Sequence, residues 1–168
     1  MKFFYRFLIL IFSLNNTIKS SGQEIIVPNV ELKTKEDFVK TEKNIITASH
    51  WLETTQLGKE MDKRTKINAF VLMWASNSPT VRVEINKLCA DLCDRNPHLL
   101  GVFLASYCRF VIENYYSTDM VKGYAAGIRG MINCYRLGGD VKKNRFMDKA
   151  IAADVDGTLE DWVRENMK

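Results

Sequence analysis

The chain has 168 residues, 24 basic and 20 acidic, with 46% hydrophobic content and a formal net charge of +4; this suits one domain with a proper core that needs no disulfide to fold. Lys2, Arg6 and Lys19 fall in the first 22 residues, which hold no Asp or Glu, so the remaining 146 carry 21 basic against 20 acidic residues and a net charge of +1. That near-neutral balance removes the compositional case for nucleic-acid binding, which asks for a pronounced basic face.

At the start, MKFFYRFLILIFSL places Lys2 and Arg6 before the apolar run from Phe7 to Leu14, and NNTIKSSGQ follows. A charged lead, a short apolar core and small residues at Ser20 and Gly22 make the pattern of a cleavable secretory signal peptide over residues 1–22. The apolar core is far below the roughly 20 residues needed to span a bilayer. The chain is therefore expected to be exported, periplasmic or secreted, with the membrane met only through the signal before cleavage.

Residues 23–33, QEIIVPNVELK, read as an extended leader: a short strand or a strap on the body. The helical period begins at Thr34, where Asp37 three residues on makes a capping box, and Phe38, Ile45, Ser49 and Leu52 share one face. That helix is expected to end near Glu53. A second fits Lys59 to Ala75, with Ile67, Phe70, Val71 and Trp74 inward. SNSP then places Ser78 as cap and Pro79 at the first helical position. TVRVEI alternates as a strand does, but Val81, Ile85, Leu88 and Leu92 continue at helical spacing, so a third helix is predicted from this start. Asn96-Pro97 repeats the signal and opens an almost wholly apolar fourth helix from Leu99 to Ile112, expected at the centre. Ser117 or Thr118 caps a fifth, with Val121, Tyr124, Ile128, Met131, Ile132 and Tyr135 as its stripe and Gly138-Gly139 as its end. Two short helices follow, one carrying Phe146, Met147, Ala150 and Ile151, the other Leu159, Trp162 and Val163. The fold class is all-α: an antiparallel helical bundle or stacked helical hairpins of six to seven helices, in a single domain over residues 34–168.

One stretch looks catalytic. DVDGTLED, residues 154–161, resembles the nucleophile loop of haloacid-dehalogenase-type phosphatases, with Asp154 as nucleophile and Asp156 as acid–base. That chemistry asks for a parallel sheet and downstream phosphate and Mg²⁺ ligands, yet only ten residues follow Thr158 and MDKAIAA precedes the motif where a buried strand should be. As a calcium loop it loses an essential position in either register: Ala152 and Val163 fall on both end ligands, or Leu159 on the glycine. Asp154 and Asp156 thus remain weak candidates for a divalent cation. The preferred reading is a helix-to-helix turn in which Gly157 ends one helix and Thr158 caps the next, Asp161 completing the box.

No serine elbow, phosphate loop or metalloprotease helix is present, so no catalytic residue and no cofactor is assigned. KKNR at Lys142 to Arg145 reads as a solvated linker. His50 and His98 lack ligand neighbours. Cys89 and Cys93 share a helix and cannot readily bridge, Cys108 and Cys134 could face each other, and buried free thiols are the default. Gly123, Gly127 and Gly130 inside the fifth helix each cost about 1 kcal/mol against alanine, which close approach to the fourth helix would offset. The functional alternative is a groove for a partner or ligand lined by Tyr115, Tyr116, Gly123, Tyr124, Gly127 and Tyr135.

WLETTQLGKEMDKRTKINAFVLMWASNSPTVRVEI, with NPHLLGVFLASYCRFVIEN and VKGYAAGIRGMINCY, resembles an uncharacterised family of small exported helical proteins of Gram-negative bacteria, over about Trp51 to Leu159. The resemblance implies location and fold class and no active site. The expected function is a non-catalytic binding module of the cell envelope, with an envelope protein or peptide as partner; the alternatives are a small hydrolase with an unrecognised site and a divalent-cation element at the DVDGT turn.

Overall fold

A computed structural model describes residues 27–28 and 31–167. The expected signal, residues 1–22, and the leader apart from 27–28 and 31–33 lie outside the described residues. Of the leader, Val27 and Leu32 are half-buried against the core.

Seven helices pack into an all-α bundle: α1 Lys35–Thr54, α2 Met61–Asn77, α3 Lys87–Cys93, α4 Leu99–Glu113, α5 Met120–Arg136, α6 Arg145–Val155 and α7 Leu159–Asn166. Among the described residues the only ladder contact is an isolated bridge between Leu57 and Gly139. No helix among them is long and apolar enough to cross a membrane. The capping box of α1 is present, with the Asp37 carboxylate accepting from the Thr34 amide at 2.8 Å and Thr34 Oγ1 accepting from the Asp37 amide at 3.3 Å. Phe38, Ile45, Ser49 and Leu52 are all buried, as the spacing predicts.

Helix α4 is the centre of the molecule, because eight consecutive residues from Gly101 to Cys108 are buried and leave it no polar face. It packs on α1, α2 and α3 and most extensively on α5. Glycines set that last contact. A Cβ on Gly123 would lie 2.6 Å from the Tyr107 ring, one on Gly127 2.6 Å from the Phe103 ring, and one on Gly130 2.0 Å from Ser106 Oγ. Tyr107 meets Gly123 and Phe103 meets Gly127, so the two helices run antiparallel with backbones close enough to exclude a methyl group. The lost helix propensity is offset by this approach.

Three helix starts differ from the sequence expectation. Residues 79–86 are not helical, and α3 begins only at Lys87, capped by Asn86 Oδ1 accepting from the Cys89 amide at 3.3 Å. Ser78 does capture amides, those of Thr80 and Val81 at 3.3 and 3.2 Å, but the chain then runs on without turning. Neither period accounts for the outcome: Val81 is 2% exposed, whereas Ile85, which both periods place on the same face, is 52% exposed. At the next signal Asn96 does not cap. Its amide group clamps the backbone of Lys142, donating to the carbonyl and accepting from the amide, both at 2.7 Å. Before α5 the cap is Asp119, whose carboxylate accepts from the Lys122 amide at 3.1 Å, while Ser117 Oγ accepts from the Asp119 amide.

The turn between α5 and α6 requires glycine at 139. Its φ is +83°, and a Cβ there would sit 2.2 Å from the Leu57 carbonyl oxygen. That carbonyl accepts from the Asp140 amide at 3.0 Å, which ties the turn to the α1–α2 connection.

Candidate functional site

A cleft lies where the 79–86 segment passes the α4–α5 connection. It has a volume of roughly 440 Å³ and is lined by Pro79, Thr80, Arg82, Glu84, Tyr107, Val111, Tyr116, Ser117, Thr118 and Met120. One wall is the non-helical segment, held by two buried tyrosines. Tyr107 donates its hydroxyl to the Arg82 carbonyl at 3.0 Å, and Tyr124 donates to the Glu84 carbonyl. Burial pushes the Tyr107 phenol up to about 12 and raises that of Tyr124 as well, so both stay protonated donors. Their rings stack edge-on, 5.7 Å apart, and each packs on Phe103. The segment is thereby fixed to the two most buried helices of the bundle.

The opposite wall is strained. Helix α4 ends with Tyr115 at φ +55° and Tyr116 at φ +59°, and the Tyr116 amide donates back to the Val111 carbonyl at 2.8 Å. This is the bond that closes a helix on a left-handed residue, a position where glycine is usual. Two tyrosines held there cost on the order of 1 kcal/mol or more each, which the surrounding structure must offset. Tyr116 is anchored by its hydroxyl to the Glu42 carboxylate at 3.0 Å, which raises its pKa. Tyr115 is 96% exposed.

The six groove candidates divide. Tyr116 lines the cleft, while Tyr115 is exposed and is not part of its lining. Gly123 and Gly127 are covered by the Tyr107 and Phe103 rings, Tyr124 is fully buried, and Tyr135 faces the start of α6, accepting from the Asn144 amide at 3.1 Å. They do not form one groove, because α4 fills the space over the glycines. Arg82, Glu84, Val111 and Met120 were not among the candidates. The alternation in TVRVEI was the signal that could have found the first two.

The DVDGTLED stretch is a helix-ending turn. Gly157, at φ +73°, sends its amide to the Asp154 carbonyl at 3.2 Å, and Thr158 sends its own to Ala153 at 2.8 Å. These two bonds define a Schellman turn. The Thr158 hydroxyl is drawn back to the Ala153 carbonyl at 3.3 Å and makes no cap for α7, so the expected box with Asp161 is absent; Asp161 pairs with Arg164 instead. Asp154 Oδ1 pairs with Arg129 Nε at 2.9 Å. Among the described residues no group of three or more His, Cys, Asp or Glu could hold a metal ion.

The four cysteines are free thiols, so Cys108 and Cys134 do not bridge. Burial pushes Cys89 up to about 11 and Cys93 and Cys108 up to about 12. None is an activated nucleophile. A buried polar cluster joins α1 to α4: Glu53 Oε1 accepts from Ser49 at 2.9 Å, Ser106 at 2.7 Å and Arg109 at 2.9 Å, and Arg109 also bonds His50 Nδ1 at 2.9 Å. Both buried serines donate to the Glu53 carboxylate, which Arg109 also engages, and the cluster ties α1 to α4. Arg64 is fully buried beneath Trp51, donates to the Thr55 carbonyl at 2.6 Å, and so closes the C-terminal end of α1. Burial lowers its pKa.

No protein-family model, curated protein or solved structure matches the chain.

Proposed function

We propose that the chain is an exported, non-catalytic binding module of the cell envelope, and that the cleft beside the α4–α5 turn takes its ligand, a peptide segment of an envelope protein. The observation that carries this reading is Tyr116, held at positive φ in the lining of the cleft, with the exposed Tyr115 preceding it in the chain. Strain of this kind persists where the fold over-determines it, and it concentrates at binding sites. Tyrosine brings a large contact area at low side-chain entropy, which suits an anchor. The ionisable side chains in the lining are Arg82, Glu84 and the two tyrosines, and the Tyr107 hydroxyl is already engaged. Such a set orients a ligand but supplies no nucleophile and base in contact. The apolar run near the N-terminus supports export.

Thermal unfolding of the purified chain against peptides, sugars, nucleotides, phosphoesters, Ca²⁺ and Zn²⁺ tests this. A peptide at 100 times its dissociation constant adds about 2.7 kcal/mol and raises Tm by several degrees. Tyr116→Gly relieves left-handed strain and gives up an exposed hydrogen bond to Glu42, so stability should stay within about 1 kcal/mol, while loss of the ring from the cleft wall weakens the peptide shift. A Ca²⁺ shift abolished by Asp154→Ala, or a shift confined to phosphoesters or nucleotides, would overturn the reading.

A further inference from the structure

The segment from Arg82 to Ile85 is open along one side, while the Val81 amide before it donates to Ser78 Oγ at 3.2 Å. The carbonyls of Arg82 and Glu84 turn inward to the tyrosine hydroxyls, and two carbonyls at a spacing of two mark an extended backbone. In such a backbone the N–H and C=O of the intervening residues point the other way. The amides and carbonyls of Val83 and Ile85 have no partner among the described residues. Arg82 and Glu84 are exposed, Ile85 is exposed and Val83 half-buried, so this edge is accessible. It is the unpaired strand edge that other folds cover or blunt.

The order Val-Arg-Val-Glu-Ile is complementary to itself when antiparallel. About a centre at Val83, Arg82 of one chain stands opposite Glu84 of the other, Glu84 opposite Arg82, and Val81 opposite Ile85. Two opposite-charge pairs and three β-branched pairs result, Val83 with its own copy among the latter, each favourable across a ladder. The backbone agrees with this centre, because Val83 presents both its donor and its acceptor outward, as the two members of a hydrogen-bonded pair must. A two-fold axis through Val83 then makes the interface isologous, each patch meeting its own copy.

We propose that a second copy of this chain pairs along the edge, residues 81–85 to residues 81–85, forming a symmetric dimer through an intermolecular two-stranded antiparallel ribbon. Arg82 and Glu84 also line the cleft, so the pairing is read from the association state of the chain and not from peptide binding.

Sedimentation equilibrium of the purified chain from 1 μM to 1 mM tests it, with circular dichroism and Tm confirming that each variant is folded. The wild-type chain should reach a monomer–dimer equilibrium in this range. Arg82→Glu sets carboxylate against carboxylate in both cross-strand pairs, and Glu84→Arg sets guanidinium against guanidinium; each should weaken the dimer at least tenfold. An equimolar mixture of these two folded variants should form a heterodimer with wild-type affinity, since every pair across the ladder is again of opposite charge. Val83→Pro removes the central donor, which serves no bond within the chain, and should leave a folded monomer. A wild-type chain monomeric at 1 mM would overturn the proposal, as would a dimer indifferent to the charge reversals and to Val83→Pro. Binding to a peptide bearing VRVEI without self-association would also overturn it, in favour of a foreign strand.

Discussion

The contact between α4 and α5 makes opposite predictions for one substitution, according to whether Gly127 faces a groove or a ring. In an exposed helix interior Gly127→Ala would stabilise the chain by up to about 1 kcal/mol through helix propensity. Here the added Cβ meets the Phe103 ring at 2.6 and 2.7 Å and the Phe103 carbonyl oxygen at 3.1 Å. Carbon atoms pack comfortably at about 3.5–4.0 Å, so the ring must move by nearly an ångström, and it is already held by Tyr107 and Tyr124 at centroid distances of 6.0 and 5.3 Å. The carbonyl belongs to the central helix and cannot yield without moving it. Overpacking of this kind costs about 1–3 kcal/mol, which cancels the propensity gain and leaves a net loss of up to about 2 kcal/mol. At roughly 3 °C per kcal/mol for a domain of this size, Tm should fall by up to about 6 °C. A double-mutant cycle with Phe103→Leu localises the effect, with an expected favourable coupling of about 1 kcal/mol or more. A rise in Tm for Gly127→Ala alone would refute the close approach and return these glycines to a groove.

Asn144 is 6% exposed, caps α6 through Oδ1 to the Phe146 and Met147 amides, and donates Nδ2 to the Asp91 and Leu92 carbonyls at the end of α3. Asn144→Ala removes a cap and strands two carbonyls, so urea unfolding should show a loss of about 2–4 kcal/mol; a loss under about 0.5 kcal/mol, the size of an ordinary surface substitution, would show that α3 and α6 are held by other contacts. The thiols give a second measurement. With Cys108 raised from 9.0 to about 12 by burial, its thiolate fraction at pH 8 falls about a thousandfold, and alkylation should proceed only on unfolding. Because the folded value lies above the unfolded one, burial of this thiol stabilises the fold below pH 9, and that contribution is lost as pH rises from 9 towards 12. Rapid labelling of Cys108 in the native chain at pH 8 would contradict its burial.

How much was legible beforehand can be seen residue by residue. The inward face of α1 followed from spacing alone, because an amphipathic helix has one period and one face to bury. The burial of α4 followed from a run too apolar to offer any other face. The glycines of α5 pointed towards close packing because nothing local compensates an interior glycine. The 79–86 segment was misread because helical and extended periods overlapped at Val81 and Ile85, and the deciding bonds come from Tyr107 and Tyr124, 25 and 40 residues away. Asn96 was assigned to its own helix when its partner is Lys142, 46 residues on.

The sequence by itself determined the all-α class, the central helix, the close-packed glycine face and the turn at Gly157, since each rests on local period, local propensity or a backbone conformation open mainly to glycine. Only the tertiary structure decided which polar groups meet. It paired Asp154 with Arg129, buried Tyr124 while leaving Tyr115 in solvent, and tied the Arg82 and Glu84 carbonyls to buried tyrosines while the amides and carbonyls of Val83 and Ile85 have no partner among the described residues. The reason is physical: a hydrogen bond or ion pair depends on positions brought together by the packing of other helices, and no local pattern encodes that distance.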